Sequence, residues 1–167
     1  MKTRLISLLL IVFVLFSSCS VQTDFDIFDL CKRYNTLVGE KVLLTESFLS
    51  DNEKMLYSFL TVGDSRLLIS VETNGKSVIE KLSVTVEKGQ YSESDRQRII
   101  NCITLLFSAF NYGKTDEATE NLSLLGFDRD FEPFSELYKS ETVEKTEYTL
   151  YSNGFSFTLS AQKNLDG

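Results

Sequence analysis

The chain contains no histidine and no tryptophan, and only one proline, two methionines and three cysteines among its 167 residues. The missing imidazole excludes the most. Without it there is no Ser-His-Asp or Cys-His triad, no HExxH zinc site and no histidine base titrating near neutral pH. No glycine-rich phosphate loop, nucleophile elbow or cysteine cluster with metal-ligand spacing is present either, so no catalytic residue, metal site or cofactor is indicated. Positive charge is also short, with 17 basic against 24 acidic residues and a formal net charge of -7. Such a surface repels nucleic acid and anionic lipid headgroups, and it suits solubility or a basic partner. The aromatic mass that tryptophan does not supply comes from 13 Phe and 7 Tyr. With 43% hydrophobic and 25% charged residues, the composition is that of one ordinary globular domain and not of a disordered chain.

The amino terminus, MKTRLISLLLIVFVLFSSCS, has the layout of a cleavable signal peptide. Lys2 and Arg4 give a positive start, Leu5 to Phe16 form an apolar run, and the small residues Ser17 and Ser18 precede Cys19. The run falls short of the roughly 20 residues needed to span a bilayer. Phe16-Ser17-Ser18-Cys19 resembles the lipobox of bacterial lipoproteins, with Phe16 where Leu is usual and Ser18 where Ala or Gly is usual. That resemblance implies a signal peptide over 1–18, thioether-linked diacylglycerol on Cys19, and a lipidated terminus with a short tether over 19–24. It implies export and anchoring to a bacterial membrane, facing outward, but carries nothing about the domain over 25–167. An ordinary secretory signal cut near Cys19 has the same layout.

Beyond the tether, Asp24 is placed to cap a helix over 25–37 that Gly39 ends, with Ile27, Leu30, Cys31, Tyr34, Leu37 and Val38 on one stripe. Alternation then predicts four strands, at 42–49, 55–62, 67–73 and 78–87. A two-residue turn at Asn74-Gly75 would set Val71 opposite Val78 and Leu67 opposite Leu82. Ser92 with Asp95 predicts a helix start, followed by an apolar stretch from Ile99 to Phe110 that reads as the packing centre of the domain. A third helix is predicted over 115–125, closed by Gly126-Phe127, and a short helical turn over 131–138 around Pro133. Two final strands, 142–151 and 155–162, flank Asn153-Gly154 and would pair Leu150 with Phe157 and Tyr148 with Leu159. The fold class is therefore α+β, a mainly antiparallel sheet of about six strands packed against helices in the order α-β-β-β-β-α-α-β-β.

Few constellations suggest chemistry. Asp128-Arg129-Asp130-Phe131-Glu132 has the acidic spacing of a calcium loop, but Pro133 and Lys139 stand where an EF-hand requires Gly and Glu, which leaves a solvated loop. If lipid takes Cys19, then Cys31 and Cys102 form an even pair that either bridges or stays as two separate buried thiols. The second strand carries apolar residues on both sides, Met55, Tyr57 and Phe59 on one and Leu56, Leu60 and Val62 on the other. One set must lie under the first helix or form an exposed interaction patch, with Tyr57, Phe59 and their neighbour Leu68 as its anchors. The sequence thus supports a membrane-anchored extracytoplasmic lipoprotein with a small non-enzymatic binding or accessory domain, for a protein or envelope partner. The alternative is a small cell-envelope or extracellular-polymer hydrolase using Asp and Glu carboxylates.

Overall fold

A computed structural model describes residues 25–164 apart from 53, 75, 76, 129 and 133. The signal peptide, the tether and Cys19 lie outside the described residues, as do Asp24, Gly75 and Pro133. The fold is α+β, with an antiparallel sheet of seven strands in the order β1-β2-β3-β4-β7-β6-β5. Its strands are β1 (Leu49–Asn52), β2 (Met55–Val62), β3 (Ser65–Thr73), β4 (Ile79–Glu87), β5 (Leu137–Val143), β6 (Thr146–Ser152) and β7 (Ser156–Lys163). Among the described residues are three helices, α1 (Ile27–Val38), α2 (Glu93–Phe110) and α3 (Thr115–Leu124); α1 and α3 each pack on α2, and α2 rests on the sheet.

Helix α1 begins two residues later than the sequence suggests. Asp26 is its cap, its carboxylate accepting from the Asp29 N–H at 2.9 Å. Its end is as read, with Gly39 in the left-handed conformation at φ 81. Phe25, outside the helix, is buried, and its carbonyl accepts from Ile79 N–H at 2.8 Å, which ties the start of the domain to β4. At α2, Ser92 caps the N-terminus as expected. Ile103, Leu106, Phe107, Ala109 and Phe110 are all fully enclosed, so this helix is the packing centre. Helix α3 closes with Phe127 N–H donating to Leu122 O at 3.0 Å and Gly126 N–H to Ser123 O at 2.8 Å, the pattern of a Schellman cap.

Two expected elements need correction. The stretch 42–49 is not a strand. Asn35 Oδ1 accepts from Val42 and Leu43 N–H at 2.9 Å each and its amide donates to Leu43 O at 2.7 Å, so this backbone is satisfied by one side chain of α1. A single 3₁₀ turn, Thr45–Ser47, follows, and pairing starts only at Leu49. The helical turn expected over 131–138 is also replaced: Leu137 to Val143 form an edge strand beside β6, giving seven strands where about six were expected.

Both hairpin registers differ as well. Val71 pairs with Leu82 and Leu67 with Val86, because Asn74 N–H bonds Val78 O at 2.9 Å and the connection is longer than two residues. Leu150 pairs with Leu159 and Tyr148 with Ala161, the two-residue loop being Gly154-Phe155, closed by Asn153 N–H to Ser156 O at 3.2 Å. These shifts are by even numbers of residues, so the strands keep the faces assigned to them except beside the first turn, where a bulge between Glu72 and Thr73 puts Ile79 rather than Val78 in the core. Leu67, Ile69, Val71, Leu82, Val84, Val86, Leu150, Leu159 and Ala161 therefore all point to the helices and are fully enclosed.

Candidate functional site: the bare face of the sheet

The parity of β2 decides which of its two apolar sets is core. Ser58 and Leu60 are buried on the helix side, where Ser58 Oγ lies 2.8 Å from Ser47 Oγ. Met55, Tyr57 and Phe59 consequently point to the opposite face, and no described element covers them. The first helix, a possible lid for this set, sits with the other helices on the far side. Phe59 is 53% exposed. Tyr57 and Leu68 are half-buried by their neighbours in the sheet.

Register brings these residues together. Tyr57 pairs with Leu49 of β1, which is 70% exposed, and Phe59 pairs with Leu68 of β3. Directly paired residues have Cβ atoms about 4.5–5.5 Å apart, so Leu49, Tyr57, Phe59 and Leu68 form one continuous apolar patch. Arg66 lies over the Phe59 ring at 4.3 Å from its centre, which gives the patch a cationic margin.

The middle of the face is hydroxylic. One row crosses the sheet through Ser70, Ser83, Ser160, Thr149 and Ser140, and beside it Thr85 and Thr158 share a hydrogen bond of 2.9 Å. At the far side Tyr138 and Tyr151 pair across β5 and β6 and are 66% and 49% exposed. Alternation with Tyr148 and Leu150 already puts Tyr151 on this face, but its partner is hidden in sequence, because Tyr138 falls in the segment read as a helical turn. The signal available was the run Leu137-Tyr138 ahead of the alternating residues up to Val143.

Cys31 and Cys102, the two cysteines among the described residues, are free and buried. Cys102 Sγ lies 3.3 Å from Tyr34 Oη, while Cys31 faces Thr45 and Glu46. Burial pushes both thiols up to about 11, the neighbouring Thr45 and Tyr34 each working in the opposite direction. Burial also raises the Tyr34 phenol, with Cys102 adding to the shift. Among the described residues no three His, Cys, Asp or Glu side chains converge as metal ligands, and no helix is long and apolar enough to cross a membrane. Asp128 and Asp130 are exposed, and Asp128 Oδ1 accepts from Asp130 N–H at 2.9 Å, as in an ordinary turn. The chain matches no protein-family model, no curated protein and no solved structure.

Proposed function

We propose that this chain is an exported binding module, anchored to a bacterial membrane through lipid on Cys19 and presenting the bare face of its sheet to a protein or envelope partner. The observation that carries the reading is the uncovered patch of Leu49, Tyr57, Phe59 and Leu68, since a sheet with helices on one side normally shows polar residues on the other. Aromatic residues and Arg are enriched among binding hot spots, and Phe59 under Arg66 supplies both. The hydrolase alternative requires a desolvated carboxylate to serve as general acid, and no Asp or Glu among the described residues is buried.

Two measurements test the proposal. Cells grown with a labelled fatty acid should label the wild-type protein and not Cys19→Ala; label on the variant, or none on the wild type, overturns the anchor. Crosslinking on intact cells should join the wild type to a partner through this face, and Tyr57→Ser with Phe59→Ser should abolish the adduct. Because those side chains lie outside the core, the double variant should melt within about 2 °C of wild type. A crosslinked adduct unchanged in the double variant, or a collapse of its fold, ends the binding-face reading.

A further inference from the structure

Two neighbouring rows of side chains cross the bare face at right angles to the strands. The first is the hydroxylic row of Ser70, Ser83, Ser160, Thr149 and Ser140, continued toward β1 by Tyr57 and Leu49. The second runs from β2 to β5 through Phe59, Leu68, Thr85, Thr158, Tyr151 and Tyr138. Neither row contains an Asp, Glu, Lys or Arg, although 25% of the chain is charged. Charge returns in the rows on either side, with Glu72 paired to Lys81 in one and Arg66 and Glu87 in the other. Ser140 donates to the Glu147 carboxylate at 2.8 Å and Arg66 leans over Phe59, so charge meets this neutral band at its margins.

The arrangement is the reverse of a protein interface. Protein interfaces put apolar anchors at the centre and polar residues on the rim, and their cores are poor in serine. Here the rings stand at the two ends, Tyr57 and Phe59 on β2 and Tyr151 and Tyr138 on β6 and β5, and hydroxyls fill the middle. Phe59, Tyr138 and Tyr151 are exposed, so both ends are open to solvent. With neighbouring strands about 4.8 Å apart, the five steps from β2 to β5 separate Phe59 from Tyr138 by roughly 24 Å along the row.

We propose, resting on the reading of this face as a binding surface, that the band holds a neutral polysaccharide chain laid across the strands from Tyr57 and Phe59 to Tyr151 and Tyr138. Charge narrows the ligand class. A nucleic acid or an acidic glycan needs cations along its path and a basic peptide needs carboxylates, and the two rows supply neither. A sugar chain matches what they do supply. Its hydroxyls donate and accept, as do those of Ser and Thr, so each contact can be satisfied in either sense. The faces of its rings carry C–H groups, which pack on the electron-rich face of a Tyr or Phe ring. Each strand is turned about 20–25° from the next, so the band is a twisted ribbon that a single flexible chain can follow.

The probes are neutral linear hexasaccharides of glucose, mannose, xylose and N-acetylglucosamine, added to the purified full chain in a detergent without a sugar headgroup. Saturation-transfer NMR should show at least one of them bound, with the C–H protons of its ring faces receiving the most saturation. That hexasaccharide should bind at least about tenfold more tightly than its disaccharide, because only the longer chain reaches both ends. A hexasaccharide of galacturonate, with a carboxylate on every ring, should not bind. Tyr138→Ser with Tyr151→Ser should weaken the neutral hexasaccharide at least about tenfold, whereas Tyr138→Phe with Tyr151→Phe keeps the rings and should retain it. No response to any neutral probe, equal affinity for disaccharide and hexasaccharide, or equal behaviour of the Ser and Phe variants overturns the proposal. If no glycan binds and a protein adduct on cells still depends on Tyr57 and Phe59, the glycan is wrong and the binding face stands; if that adduct does not depend on them either, both fall.

Discussion

Cys31 and Cys102 are both enclosed by apolar packing, yet they have different neighbours, Thr45 for one and the Tyr34 hydroxyl for the other. With both thiols pushed up to about 11, almost no thiolate exists at pH 8, and the nucleophile is the thiolate. An aromatic disulfide reagent at pH 8 should therefore react slowly with both in the native protein and rapidly with both in denaturant. A denatured, unreduced sample lacking these two thiols would show that they are bridged. The sign of the pH dependence follows from the same shifts. A thiol whose native value is raised stabilises the fold fully below its unfolded value of about 9, and that stabilisation is lost as pH rises toward 11. Of single residues, Asn35 was the least legible in sequence. Nothing in an NxxV pattern announces that its amide will satisfy three backbone groups seven and eight residues ahead, and so the apolar alternation of 42–49 reads as a strand that does not form.

Helix α2 was the most legible element, because its start and its apolar length agree. Ser92 Oγ accepts from Asp95 N–H at 3.1 Å and donates to the Asp95 carboxylate at 2.6 Å, so that the cap and the first turn hold each other. Ser92→Ala should cost about 1 kcal/mol, read as a lowered urea midpoint with an unchanged slope. Edge strand β5 was hidden for a physical reason. Its exposed residues Lys139 and Glu141 lie on the side of the helices, which do not reach over it, so the strand lacks the dry and wet alternation that marks its neighbours. The hairpins differ in register but, apart from Ile79 beside the β3–β4 bulge, not in face, because a turn residue fixes where a loop begins far less firmly than burial fixes which side a strand presents.

Taken whole, the molecule is a sheet with one dry side, and its stability should be graded across the strands. Amide exchange should be slowest at Leu67–Val71, Leu82–Val86 and Leu159–Ala161, which are paired on both sides and enclosed by the helices, and fastest in β1 and β5 at the edges. Equal protection at edge and centre would contradict this layering. The strand order carries one more consequence. β7, the last to be made, lies between β4 and β6, and it alone joins the four-stranded meander to the β5–β6 hairpin. Until residues 156–163 have emerged, the ladders of β4 and β6 each face a missing neighbour, and the most buried part of the core has no floor beneath Phe157, Leu159 and Ala161. Whatever the order in which the other strands pair, the sheet is joined into one only when residues 156–163 take their place between β4 and β6.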